Sequence, residues 1–204
     1  MKKPLLIGLF MLSIFTIKAQ NIFFHSGRNI TTYAFNDNAH PNVDLYYGTG
    51  YNYEIGLQSV KKNNKQLFYS ISATVDQYNA SGTTSGIDLA WKTNYLGIKG
   101  SVYYPAVNSK YSYLAIKFGI DGKSILDGSQ KINSNQMNLK NQAEFSGAFV
   151  GSGLGLIYNY NITPLFALQV DYNYEKQFNV SNKSSEKLIF NNHSINIGFS
   201  IKID

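Results

Sequence analysis

Apolar and polar residues alternate with a period of two along most of this chain. In residues 166–175 one phase holds Phe166, Leu168, Val170, Tyr172 and Tyr174, and the other Ala167, Gln169, Asp171, Asn173 and Glu175. Residues 67–76 divide the same way, with Leu67, Tyr69, Ile71, Ala73 and Val75 opposite Phe68, Ser70, Ser72, Thr74 and Asp76. Residues 194–203 set five alternate apolar side chains, Ile195 to Ile203, against Ser194, Asn196, Gly198, Ser200 and Lys202. A strand sends successive side chains to opposite faces, so each run predicts a strand with one apolar and one polar side. Eight strands are expected, at 22–34, 48–60, 66–77, 86–104, 111–122, 144–160, 165–176 and 188–203. The first is irregular, because Arg28 shares a phase with Ile30. In the fourth, Trp91, Thr93 and Tyr95 hold one phase before Leu96, Ile98, Val102 and Tyr104 hold the other, so a bulge is expected near Tyr95.

The connections alternate in length. Short ones are expected at 61–65, 105–110 and 161–164, and mostly longer ones at 35–47, 78–85, 123–143 and 177–187. Short turns at one rim and long loops at the other are the pattern of an up-and-down transmembrane barrel, with periplasmic turns, extracellular loops and both termini periplasmic.

Charge placement favours that barrel over a soluble one. The apolar phase at 51–57, 67–75, 96–104, 114–120, 148–160, 166–174 and 195–203 contains no charged residue. The opposite phase carries Glu54, Lys99, Lys117, Asp171, Glu175 and Lys202, with Asp76 at the end of its strand. A Lys or Arg facing lipid at the midplane costs about 2–4 kcal/mol, which explains a charge-free outer face. Tyr104, Tyr158, Tyr160 and Phe166 fall near the short-turn rim. Tyr51, Tyr53, Tyr172 and Tyr174, and with them Trp91, fall near the long-loop rim. Two aromatic bands flanking an aliphatic one suit the two lipid interfaces. Counted from the short-turn rim, Glu54, Lys99, Lys117 and Asp171 lie at similar heights in the inward phase. They are expected to form an ion-pair network that plugs the lumen, with Glu175 apart from it, nearer the open rim. Asn173, also inward, is expected to tolerate arginine better than Val170 or Ile197 on the lipid face.

Residues 1–20 read as a removable signal peptide. Lys2 and Lys3 precede an apolar stretch from Pro4 to Ile17, and Ala19-Gln20 offers a small-residue cleavage position. The barrel domain is expected at 21–204. Removing the leader takes away three of the 18 basic residues and none of the 12 acidic ones, leaving a charge of +3. The basic balance is therefore no argument for nucleic-acid binding. The chain is 44% hydrophobic and only 15% charged, with 16 Tyr and 13 Phe. Such a composition excludes charge-driven disorder. The absence of Cys excludes disulfides, thiolate metal sites, Cys nucleophiles and a lipid-modified cysteine.

The last strand ends Gly198-Phe199-Ser200-Ile201-Lys202-Ile203, which resembles the C-terminal signal read by the outer-membrane barrel-assembly machinery. Asp204 stands where that signal often ends on Phe. Asn94-Tyr95-Leu96-Gly97-Ile98 with Val102-Tyr103-Tyr104 looks like the fourth strand of the small outer-membrane β-barrel domain family. Gly48–Leu57 looks like its second strand, and Phe24–Asn29 like its opening. The chain resembles that family over 21–204, in the eight-stranded OmpA/OmpX-like architecture. The resemblance implies a bacterial outer-membrane location, contact with outer-membrane lipid and handling by the assembly machinery. It implies no particular activity.

Little else points to chemistry. The three histidines, His25, His40 and His193, are dispersed without ligand spacing, so neither a metal nor a cofactor is expected. Gly151-Ser152-Gly153-Leu154-Gly155 superficially resembles a nucleophile elbow, but its glycines share one strand face and are read as making room inside the barrel. Outer-membrane enzymes of this size need a His/Ser-type constellation at the outer rim. His40 with Asp44, Ser81 and Ser85, or His193, specifies none, so no enzyme is expected. The leading expectation is a structural or loop-interacting barrel with no peptidoglycan-anchoring module. PorT-like relatives imply an alternative, an accessory subunit of a secretion or uptake assembly. Ile125, Leu126, Ile132, Met137 and Leu139 in the 123–143 loop would then meet an unknown protein or ligand. A soluble, lipocalin-like periplasmic binder is the third possibility.

Overall fold

A computed structural model of the chain describes residues 19–36, 44–59, 67–84, 87–133, 135–181 and 187–203. Nearly all of the expected leader, the turn at 61–65, His40 and Ser85 lie outside the described residues. The described residues form nine strands: β1 (Ala19–Asn36), β2 (Asp44–Ser59), β3 (Phe68–Thr84), β4 (Ile87–Asn108), β5 (Ser112–Ile132), β6 (Asn135–Asn138), β7 (Ala148–Asn161), β8 (Phe166–Asn179) and β9 (Lys187–Lys202). Eight of them close into a ring, because β1 pairs with β9 and β4 with β5, and every pairing is antiparallel. β6 is an extra four-residue strand that, among the described residues, pairs only with β5.

The ring is staggered. Register followed from Phe24 through Ile55, Ala73, Ile98, Gly122, Val150, Phe178 and Ile189 returns to β1 at Ala34, ten residues further along. Such a shear tilts the strands and leaves an interior wide enough for side chains to fill.

The alternation read from the sequence sets the two faces. Ile55, Ile98, Ile120, Leu154, Ile195 and Ile197 stand on the outer wall, each more than half exposed. Their inward neighbours are mostly Ser, Thr, Asn, Gln, Gly and charged residues. The outer wall is thus apolar and the lumen polar, the inverse of a soluble barrel. The irregular first strand keeps the same faces, with Arg28 and Ile30 both outward. Arg28 sits beside Tyr51 and Ile195, and Ile195 pairs onward with Tyr172, so the guanidinium emerges within the long-loop aromatic band. There its long stem can cover apolar surface while the head reaches water.

Four expectations need correction. Tyr78–Thr84 is strand rather than loop, paired from Tyr78↔Thr93 to Thr84↔Ile87, because Tyr78 and Ala80 continue the inward row as apolar anchors. β5 runs on to Ile132, so Lys123, expected in a loop, joins Asp121 on its inward face. Trp91 points into the lumen, not to a lipid interface, at 6% exposure, and Tyr95 shares its inward row at 0%. The inward row of β4 simply changes from aromatic to polar after Tyr95, which looks like a slip in the sequence. A bulge does fall there, but its extra residue is Leu126 on β5, since Asn94 pairs with Asp127 and Tyr95 with Ile125. Finally, Ile125 and Leu139 are buried, and of the 123–143 apolar residues Leu126 and Met137 are 40% and 45% exposed.

Apolar layers fill both ends of the lumen. Near the short-turn rim Phe68, Tyr103, Ala115 and Ile157 cluster, with Phe68 and Tyr103 stacked at 4.7 Å. Near the long-loop rim Tyr33, Tyr78, Trp91, Tyr95, Phe149 and Phe190 pack together. Leu139 and Phe145 from the segment after β6 seat on this upper cluster. The segment is pinned by Leu139 N–H to Gly128 C=O at 2.9 Å, Tyr95 O–H to Phe145 C=O at 3.2 Å, and Asn179 Nδ2 to Glu144 C=O at 2.7 Å.

The β7 glycines sit where β8 side chains press closest. A Cβ on Gly151 would meet Gln177 at 2.3 Å, one on Gly153 would meet Glu175 Cγ at 2.7 Å, and one on Gly155 would meet Asn173 Oδ1 at 2.6 Å. Gly153→Val should therefore destabilise the barrel by about 1–3 kcal/mol through overpacking. Gly100→Val, with nothing within 4 Å of the new Cβ, should be nearly neutral. Denaturant midpoints of the two variants test this, and equal midpoints would exclude the steric account.

Candidate functional site: the charged layer of the lumen

Between the two apolar layers the described residues bury three ammonium groups, Lys99, Lys117 and Lys123, and five carboxylates, Glu54, Asp76, Asp121, Asp171 and Glu175. All are at most 5% exposed. Each comes from the inward row of β2, β3, β4, β5 or β8, so the network is a product of strand alternation and of the ring's stagger.

The structure brings Glu54, Lys99, Lys117 and Asp171 together. Lys117 Nζ donates to Asp171 Oδ2 at 2.9 Å and lies 3.8 Å from Glu54 Oε2. Lys99 Nζ lies 4.0 Å from the same Glu54 oxygen. Ser72 Oγ donates to Glu54 Oε1 at 2.7 Å, and Asn173 Nδ2 to Asp171 Oδ2 at 2.7 Å. Glu175 is not apart from this set, as its height along β8 had suggested. It pairs directly with Lys99 and lies 3.4 Å from Lys123. Barrel tilt lifts β4 and β5 relative to β8, so residues counted at different heights meet across the lumen. Asn173, held against Asp171 and Gly155, has no space for an arginine.

Lys123 organises a second half of the layer. Its Nζ lies 2.8 Å from Asp121, 2.9 Å from Asp76 and 3.4 Å from Glu175, and donates to Tyr78 Oη at 2.6 Å. Gln177 Nε2 donates to both oxygens of Asp121 at 2.8 Å. Ending the fifth strand at 122 hides Lys123, and Asp121, inside the expected strand, is missed because the inward charges are counted only to 120. The phase Lys117, Gly119, Asp121, Lys123 carries them in the sequence. His25 was also missed as a lumen residue. It is 1% exposed, with Nε2 2.7 Å from Gln169 Oε1 and Nδ1 3.9 Å from Asp171 Oδ2.

On the outer wall, Tyr53, Tyr104, Tyr158, Tyr160, Tyr172 and Tyr174 are 40% exposed or more, and Tyr51 is half-buried with its ring 5.4 Å from that of Tyr53. His193 is outward as well, within hydrogen-bond distance of Tyr172 Oη at 2.9 Å. Its strand neighbour Ser194 points the other way, into the lumen. Ser81 is exposed, and neither histidine that is described lies beside a serine in these contacts.

No protein-family model matches the chain, and no curated protein sequence does. Solved structures do. Neisserial surface protein A superposes with a TM-score of 0.54 at 12% identity, covering 89% of this chain and 97% of that one. The outer membrane protein OprG from Pseudomonas aeruginosa gives 0.53 at 13% identity, covering 91% and 97%. A major outer membrane protein from Thermus thermophilus gives 0.50 at 10% identity, covering 89% and 99%. With its eight-stranded ring, its apolar outer wall and these likenesses, the chain has the fold of the small outer-membrane β-barrels, the OmpA/OmpX-like architecture.

Proposed function

We propose that the protein is an integral outer-membrane β-barrel with a sealed lumen, which acts as a structural element or through its long-loop rim and catalyses no reaction. The observation that carries this reading is the pairing of an apolar wall with an interior that two apolar layers cross. A porin needs an aqueous passage, and here aromatic layers stand above and below a buried layer of charged side chains. The apolar wall also speaks against a soluble lipocalin-like binder. The similar outer-membrane proteins support the same location.

Topology supplies the test. The segment 139–147 should face outward and the turn at 109–111 should face the periplasm. Single-cysteine variants at Lys140 and Lys110, both exposed, should differ on intact cells. Lys140→Cys should react with a membrane-impermeant maleimide and Lys110→Cys should react only after the outer membrane is opened. The reverse pattern would invert the orientation, and no membrane association of either would end the reading.

An accessory role in a secretion or uptake assembly is a second reading. Leu126 and Met137, exposed at the long-loop rim beside the one-sided strand β6, favour it. Crosslinking from Met137 in intact membranes would capture the partner, and crosslinks to lipid alone would count against it.

A further inference from the structure

We infer that the lower half of the charged layer is a divalent-cation site, built from His25 Nδ1, Asp171 and Glu54 and suited to a zinc-like ion. One donor atom from each of the three residues lies within 4.8 Å of the others, and all three side chains are buried. The decisive feature is the orientation of His25. Its Nε2 meets Gln169 Oε1 at 2.7 Å. The amide of Gln169 cannot turn over freely, because its own Nε2 donates to Asn159 Oδ1 at 3.0 Å. An imidazole that donates from Nε2 to the Gln169 oxygen leaves a bare lone pair on Nδ1, which lies 3.9 Å from Asp171 Oδ2. A lone pair facing a carboxylate, out of reach of water, is repulsive unless a positive centre stands between them.

Two further observations support a metal ion there. His25 Nδ1 and Asp171 Oδ1 are buried without a hydrogen-bond partner, whereas Asp171 Oδ2 already serves Lys117 and Asn173. Asp171 Oδ1 is thus free of the lysine, which is held by Oδ2, the oxygen 3.9 Å from His25 Nδ1. Second, five buried carboxylates against three ammonium groups leave two negative charges in excess among the described lumen residues. One divalent ion cancels that excess, and uncompensated charge in a sealed layer is costly. A histidine held through its second nitrogen by a fixed acceptor is the usual support for a metal ligand. One imidazole with two carboxylates suits zinc or manganese better than calcium or magnesium, which prefer oxygen alone. Because apolar layers close both ends, the ion would be taken up as the barrel folds.

The test folds the full chain in detergent with zinc, with manganese or with magnesium, strips loose metal with a mild chelator and counts metal per chain. About one zinc per chain is expected for the wild type. His193→Ala and His40→Ala should keep it, and His25→Gln and Asp171→Asn should lose it by about tenfold or more. Magnesium should not be retained. X-ray absorption of the zinc-loaded wild type, which needs no variant to fold, should show one nitrogen among oxygen donors. A wild type that retains no zinc, a His25→Gln barrel that retains it, or an all-oxygen shell would each overturn the site; the first would leave a proton as the positive centre.

Discussion

Lys117→Met is expected to destabilise the barrel by about 3–5 kcal/mol, the cost of leaving a buried charge without its partner. Lys117 is 1% exposed and is the nearest cation to Asp171, with Glu54 3.8 Å away on its other side. Its loss leaves two carboxylates facing each other, with Lys99, 4.0 Å from Glu54, as the remaining ammonium beside them. The double variant Lys117→Met/Asp171→Asn should recover a large part of the loss, because a neutral amide can still accept from Asn173. Equilibrium unfolding in detergent micelles measures both. A single-variant loss of no more than about 0.5 kcal/mol, the size found at ordinary surface positions, would mean that the layer is a wet lumen of separately hydrated charges.

The second large effect belongs to the outer wall. Ile197→Arg should cost about 2–4 kcal/mol and lower the yield of folded barrel, because the side chain enters hydrocarbon. Ile197 is 67% exposed and is flanked across the ladder by Val170 and Ser26, on the side of Tyr172 and Ile195 nearer the short-turn rim. Val170→Arg should behave alike. Lys176→Ala, on the same wall but nearer the long-loop rim, should be nearly neutral. If Ile197→Arg and Lys176→Ala fold equally well in lipid vesicles, the wall is not in contact with hydrocarbon.

The outer face was legible in the sequence because one rule governs it along every strand. Hydrocarbon excludes charge, so the phase from Ile195 to Ile203 could be assigned outward without knowing any partner. The inner face obeys two rules. Around Lys99 and Lys117 it is polar, and hydrophobicity separates the faces. Around Trp91, Tyr95 and Tyr78 it is aromatic, and hydrophobicity points to both faces at once. That is why Trp91 was assigned to the lipid side and Tyr78–Thr84 to a loop. The lumen network was legible as a set of inward charges but not as a set of pairs. Which carboxylate meets Lys99 depends on tilt and on angular position around the ring, so Glu54 was expected and Glu175 is the direct partner. His25 was invisible for a different reason. Its meaning lies in Gln169 and Asp171 on β8, far along the chain, and no local spacing encodes that contact.

The seam between the first and last strands has a mechanical consequence. It pairs without a bulge from Asn21↔Lys202 to Asn36↔Lys187, and both chain ends leave it at the short-turn rim. A force pulling those two ends apart loads the seam one pair at a time, so the ring should open there like a zipper at low tension. The same ladder gripped at opposite rims, through Asn21 and Lys187, would share the load along its length and hold far harder. The barrel should therefore yield readily to a tether that draws both ends from the short-turn rim, and resist one that tugs between its two rims.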